Sequence, residues 1–194
     1  KKSFWLVNMD DLFKSLNANP SISLLREQKE NITDPQLIID FFLNNDLHTT
    51  SDPVIDPESF LYEDYILEST ILVQIDEIVD ISLPLIKRKD FIVNNSEKKR
   101  TLKFLLSDGH FQFAAISKDY LSAFDPRIIP GVKMKILTGT RAKFGVLFLK
   151  SDMIEIIGGQ SLELKKIRNS RVIYDENKYK NQQNINFENM NQNQ

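Results

Sequence analysis

Two histidines and no cysteine in 194 residues narrow the chemistry of this chain at once. Without a thiol there is no disulfide, no zinc knuckle, no iron–sulfur cluster and no cysteine nucleophile, a usage that suits a reducing compartment. His48 and His110 are too few and too far apart in sequence for a histidine-rich metal site. His110 follows Asp108-Gly109 in the apolar stretch LLSDGHFQFAAI. A general base there would need a second titratable group and a cleft to work in. Asp108 is its neighbour, but Asp-Gly between two apolar runs signals the two-residue turn of a type I′ hairpin. His110 therefore reads as a surface residue opening the next strand. His48, in NNDLHTT, reads as a surface residue just past a helix end. The carboxylate pairs Asp10-Asp11, Asp76-Glu77 and Asp175-Glu176 are sequence neighbours, which point in different directions on a helix or strand, so none forms an acid–base dyad. Gly158-Gly159 lacks the lysine and serine of a phosphate loop, and no serine sits in a GxSxG setting. The residues predict a binding module rather than an enzyme, with no cofactor, metal or small-molecule substrate.

Charge is where binding chemistry remains. The net charge of −2 hides an asymmetry: residues 1–68 carry 5 Lys/Arg against 13 Asp/Glu, and residues 69–194 carry 20 against 14. The basic part holds Lys133, Lys135, Arg141, Lys143 and Lys150 on or near one hairpin. Such a group can track a phosphate backbone, given exposed aromatics on which bases stack. Phe104, Phe111, Phe113, Phe144 and Phe148 are the aromatics at hand, and mostly fall at inward-facing positions. Lys133, Lys135, Arg141 and Lys143 thus give either weak contact with DNA or a solvated basic face.

The elements that hold these residues divide the chain. Met9–Asn17 carries acidic residues in its first turn and Leu12, Phe13 and Leu16 on one side, as a helix broken by Asn19-Pro20 would. Ser21–Glu30 restarts with a serine cap. A third helix has Thr33 as its cap, Pro35 early, and Leu37, Ile38, Phe41 and Phe42 at helical spacing. Residues 49–59 form a Pro- and Asp-containing connector. From Thr70 the period becomes two, with Val73, Ile75, Glu77, Val79 and Ile81 on one face of a long strand. Strands follow over 101–107, from 110, over 132–137 and over 142–150, with a short helix over 118–124. Residues 153–157 form a short apolar run, and 161–169 a last helix. The expected architecture is α+β: a helical unit over 1–64, then a five-stranded OB-fold barrel over 65–170 with a C-terminal helix, then an Asn/Gln-rich tail over 171–194. One segment does not fit a compact barrel. Residues 83–100, LPLIKRKDFIVNNSEKKR, join two strands that a short turn could join, and set apolar residues among lysines and arginines. A loop of that length and makeup suggests a docking element. No run of 18 apolar residues exists, so no membrane span is expected, and the opening KKSFWLVNMDD lacks the apolar core of a signal peptide.

Taken together, TLKFLLSDGHFQFAAI and IIPGVKMKILTGTRAKFGVLFLKSDMIEIIGG resemble the OB-fold of the RecQ-mediated genome instability protein 1 family, to which that of tudor-domain-containing protein 3 is related. The features carrying the likeness are a strand ending in SDG, the IPGVKM lead-in to the fourth strand, GVLFLK as the fifth and the closing GGQ. Upstream, FFLNNDLHTT resembles the family's helical segment, with His48 in place of the usual arginine. The longer insertion favours the genome-instability branch, while SDGH reads closer to the tudor branch. The resemblance implies a helical bundle on an OB barrel, without catalytic activity, that binds topoisomerase III, a type IA topoisomerase. It implies work with a RecQ helicase, in the nucleus, to dissolve double Holliday junctions. It further implies that the insertion reaches into the topoisomerase gate, here through Leu85, Ile86, Lys87, Arg88, Phe91, Ile92 and Val93. Lys150 matches the lysine that ends the fifth strand on the family's topoisomerase-binding surface. The alternative left open by the residues is a free-standing single-stranded nucleic-acid binder using Lys133, Lys135, Arg141 and Lys143.

Overall fold

The computed structural model describes residues 11, 13–21, 34–82, 100–119, 121, 124, 130–167 and 169. The insertion with Leu85, Ile86, Lys87, Arg88, Phe91, Ile92 and Val93, nearly all of the helix expected over 21–30, and the tail over 171–194 lie outside the described residues. So do several residues of the helix expected over 118–124.

Residues 13–16 are helical and stop at Asn17, which takes a positive φ of 52° ahead of Asn19-Pro20. Helix α1 (Pro35–Asn44) starts at a proline, whose missing N–H is no loss in a first turn. Its cap is Asp34, whose carboxylate accepts the Gln36 N–H at 3.0 Å, one residue later than the expected Thr33. Ile38, Ile39 and Phe42 are buried, while Leu37 turns outward. Two one-turn helices follow, α2 (Leu47–Thr50) and α3 (Pro57–Phe60).

The sheet has eight strands where five were expected: β1 (Tyr65–Ile66), β2 (Ile71–Asp80), β3 (Leu102–Ser107), β4 (Gln112–Ser117), β5 (Val132–Ile136), β6 (Arg141–Lys143), β7 (Val146–Leu149) and β8 (Ile154–Gly158). They lie in the order β1-β6-β7-β4-β3-β2-β5-β8, with β4 and β7 the parallel pair. The extra strands have simple origins. The run expected as one strand over 142–150 is cut by a turn at Phe144-Gly145, where both residues have positive φ, 48° and 75°. Tyr65–Ile66 and Ile154–Gly158 then add one strand at each edge. Val73, Phe104, Phe113, Met134, Ala142 and Leu147 share one buried cluster although they come from six neighbouring strands, so the sheet curls around its core.

Two local details depart from the sequence expectation. In β2 the pairing slips between Ile75 and Glu77, so Asp76 is an extra, bulged residue. A one-residue slip reverses which side chains face inward: Ile71, Val73 and Ile75 are followed into the core by Ile78, not by Glu77 and Val79. The turn between β3 and β4 is centred on Gly109-His110 rather than Asp108-Gly109. Asp108 N–H bonds Phe111 O at 3.3 Å, and of these turn residues Gly109 alone has positive φ, which excludes type I′.

Candidate interaction surfaces

The late turn puts Asp108 under the loop rather than at its tip, and that changes its role. Its carboxylate is fully buried and accepts four backbone N–H groups: His110 and Phe111 in its own turn at 2.9 and 2.8 Å, and Val54 and Ile55 of the upstream connector, both at 2.9 Å. Burial alone would raise its pKa; the four N–H dipoles outweigh that and hold it below the ordinary carboxylate value. His110 bonds across the same seam. Its Nε2 lies 2.8 Å from the Ser51 carbonyl, so that nitrogen carries the proton. Gly109 is needed for space as well as for its φ of 107°, because a Cβ there would lie 2.5 Å from Leu47 O.

A second set of residues stitches helix α1 to the outer face of the sheet. Phe13, Ile38, Ile39, Phe42 and Leu47 pack on Leu72 of β2, with Phe13 and Phe42 edge to face at 5.3 Å. Gly159 lies against the end of α1, where a Cβ would come 2.2 Å from Leu43 O, and Gln160 N–H donates to that same carbonyl. Beneath them sits Lys133. The sequence reading put it on an outward, phosphate-facing side of β5; the structure corrects this, because α1 covers that side and leaves Lys133 wholly buried. Its Nζ donates to Asn45 O at 2.5 Å and Gln160 O at 3.4 Å, capping the end of α1. Burial pulls its pKa from 10.5 to about 7, against the opposing pull of Asp46 and Asp76.

Asp46 links this lysine to His48. The Asp46 carboxylate accepts from Gln74 Nε2 at 2.8 Å and from His48 Nδ1 at 2.6 Å, and His48 Nε2 stands 3.3 Å from Ser107 Oγ. Gln74 also bonds Leu47 N–H and the bulged Asp76, which Gln112 bonds from β4. Serine, histidine and aspartate thus stand in the connectivity of a nucleophilic triad, which sequence reasoning did not find; the D-x-H spacing of Asp46 and His48 was the available signal. Yet Ser107 is fully buried and its Oγ already accepts the Gly109 N–H at 2.9 Å, so no substrate can reach it. The arrangement ties α2 to β2 and β3.

The remaining basic residues fall on two strands that are not neighbours in the sheet, Lys135 on β5 and Arg141 and Lys143 on β6. Lys135 reaches Glu155 at 3.4 Å and Arg141 reaches Asp64 at 3.3 Å; Arg141 and Lys143 are exposed on β6. Phe104 and Phe113 are interior, so they offer bases no platform; Phe144, expected to point inward, is exposed. Lys150 lies elsewhere, at the opposite end of the β6–β7 hairpin. There Ser117 of β4 pairs with Leu149 of β7, and its Oγ accepts the N–H of Leu102, which opens β3. Leu102 in turn pairs with Asp80, the last residue of β2. Lys150 and both feet of the 83–99 segment therefore occupy one end of the sheet. The feet are pinned together: Ser82 N–H and Oγ both donate to Asp80, Ile81 N–H bonds Thr101 O, and Arg100 stands 4.0 Å from Asp80. Lys118 lies over the Phe148 ring at 5.5 Å beside them.

A family model described as the RMI1 N-terminal OB-fold domain matches residues 43–171. RecQ-mediated genome instability protein 1 of Danio rerio is 22% identical over 177 residues, which cover 78% of this chain and 34% of that protein. Its namesake in Arabidopsis thaliana is 29% identical over 113 residues, 58% of this chain and 17% of that protein. Tudor domain-containing protein 3 of Xenopus tropicalis is 31% identical over 121 residues, 61% of this chain and 16% of that protein. The chain thus spans about a third or less of the length of these relatives.

Proposed function

The chain belongs to the RecQ-mediated genome instability protein 1 family, and on that premise we propose that it is a non-catalytic partner of topoisomerase III acting with a RecQ helicase in genome maintenance. In this reading it works in the nucleus, on the dissolution of double Holliday junctions. The barrel docks on the topoisomerase through the end that carries Lys150. The 83–99 segment, through Leu85, Ile86, Phe91, Ile92 and Val93 with Lys87 and Arg88, enters the gate and modulates strand passage. The N-terminal helical unit acts as a buttress: bonded to Asp108, His110, Gln160 and Lys133, it holds the barrel rigid from the side away from the partner.

The observation that carries the reading is the meeting of Lys150 with the two feet of the 83–99 segment at one end of the sheet, in a member of this family. A dock and a gate-reaching segment must share a face to act on one partner. The test is co-purification with the host's topoisomerase III, using the intact chain, a Lys150→Glu variant, and one with residues 85–97 replaced by a short Gly/Ser linker. Binding by the intact chain, weakened by Lys150→Glu, with decatenation altered in the linker variant, is the expected result. No complex with the intact chain, together with salt-sensitive binding to single strands, would overturn it.

A further inference from the structure

The opposite end of the β6–β7 hairpin carries an apolar patch that the fold does not need. Leu61, Tyr62, Ile66 and Phe144 are 57%, 65%, 51% and 69% exposed. Three of them meet at the hairpin turn: Phe144 N–H donates to Tyr62 O at 3.1 Å, and Leu61 lies over Gly145, so close that a Cβ there would be 2.8 Å away; Ile66 stands on the adjoining strand, paired with Arg141 at the other end of β6. Phe144 is the telling residue. It occupies the first position of a two-residue turn at φ 48°, where asparagine or glycine is favoured, and points its ring into solvent. Neither packing nor backbone conformation accounts for a phenylalanine there, which turns the question toward binding.

The rim states the chemistry of what binds. Residues 56–68 hold five carboxylates, Asp56, Glu58, Glu63, Asp64 and Glu68, all exposed, and no lysine or arginine. Of the nearby cations, Arg141 is engaged by Asp64, which leaves Lys143. The Tyr65 phenol, pushed up by burial, is pushed further by Glu68 and Asp56, so the negative potential extends over the patch. Strand β1 ends the sheet order, and no described strand pairs with its outer edge.

We infer that Leu61, Tyr62, Ile66 and Phe144 form a second docking surface, which takes an extended segment of another protein with apolar side chains separated by lysines or arginines. The segment lies along the outer edge of β1, its apolar side chains on Phe144 and Tyr62 and its cations on the carboxylate rim. The length of β7, roughly 13 Å at strand rise, separates Phe144 at the turn from Lys150, so the two surfaces can be occupied together.

Fluorescence anisotropy with a labelled peptide that alternates lysine with leucine and phenylalanine tests this, a glutamate version of the peptide serving as control. The intact chain should bind the basic peptide and not the acidic one. Phe144→Asn, which suits the turn and keeps the fold, should weaken binding at least tenfold, and Glu63→Lys with Glu68→Lys should weaken it and remove most of its salt dependence. Several results would overturn the proposal. They are equal binding by Phe144→Asn, no binding by the intact chain, preferential binding of a labelled single-stranded oligonucleotide that Phe144→Asn abolishes, or loss of topoisomerase III co-purification in that variant. Self-association of the intact chain that Phe144→Asn abolishes would assign the patch to a second copy and overturn it likewise.

Discussion

Two faces of the same sheet are built on opposite principles. Where the helices meet the barrel, polar groups are buried and matched: Asp108 with four N–H donors, Lys133 with two carbonyls, Gln74 with Asp46, Asp76 and Leu47. Among the described residues no buried side-chain nitrogen or oxygen lacks a partner. At the β6–β7 hairpin the reverse holds, with large apolar side chains left in water. A matched polar seam confers register and geometry more than energy, since each bond replaces one to water. An unmatched apolar patch lowers solubility and is retained where something covers it. The comparison separates what makes this chain one body from what it offers to others.

The strongest way to break the seam is Asp108→Ala. Four N–H groups lose their acceptor in a buried place, at a cost of about 4 kcal/mol. Urea denaturation should register the loss, and limited proteolysis should newly cut the connector near Val54. The carboxylate's contribution has a defined pH window. Its folded pKa is depressed below the ordinary 3.8, so the contribution is present above pH 3.8 and is lost as the pH falls through the folded value. An alanine variant as stable as the parent would mean that Ile55 in the core and the bond from His110 to Ser51 suffice to hold the connector.

Neighbouring glycines sharpen the comparison next. Gly158 and Gly159 both have positive φ, 104° and 81°, but a Cβ on Gly158 meets open space while one on Gly159 meets the Leu43 backbone. Gly158→Ala should cost about 1 kcal/mol, the conformational penalty alone. Gly159→Ala should cost about 3 kcal/mol, because α1 must lift from the sheet to make room. Equal melting temperatures for the two variants would show that α1 is not seated there.

Lys133→Met gives a smaller effect with a distinctive pH dependence. The lysine titrates at about 7 when folded and 10.5 when unfolded. Between those values the unfolded chain holds a proton that the folded chain lacks, so wild-type stability rises with pH across this window. Methionine removes the titration. The variant should be the more stable of the two at pH 6, where the parent buries a charge, and the less stable near pH 10, where it misses the two hydrogen bonds. Parallel stability curves from pH 6 to 10 would show that Lys133 stays charged and solvated.

Much of this was legible in the residues, and the failures share a cause. The alternation Leu102-Phe104-Leu106, Phe113-Ala115 and Val132-Met134-Ile136 marked the barrel interior, as found. The same alternation sent Lys133 outward correctly and then misled, because outward on β5 means beneath α1. A period-two pattern reports which side of the sheet a residue occupies, not what lies on that side. The bulge at Asp76 left one trace: in ILVQIDEIVD the face of Ile71, Val73 and Ile75 runs on to the charged Glu77, while Ile78, one place later, is the residue that enters the core. Asp108-Gly109 was read as the turn itself because a local rule sufficed, whereas the partners that shift it, Val54 and Ile55, lie more than fifty residues upstream. The SDG and GGQ motifs look like turn punctuation in sequence; in the structure both are contacts with Leu43, Leu47 and the connector.

The smallest effect is the one that isolates the hairpin. Phe144→Asn replaces a residue poorly suited to φ 48° with the one that such turns prefer, ahead of a glycine already in place. It also removes an aromatic ring that is mostly in water and so contributes little burial to the fold. Both changes favour the folded state, and the expected outcome is a gain of about 0.5–1 kcal/mol, read as a rise in melting temperature of a few degrees. At the seam Asp108→Ala and Gly159→Ala subtract stability, and Lys133→Met changes sign with pH. A gain at this position would show that folding does not require the natural residue there. A fall in melting temperature instead would mean that the ring packs on Leu61 and Tyr62 as part of the structure, and the contrast between the two faces would shrink to a difference in exposure.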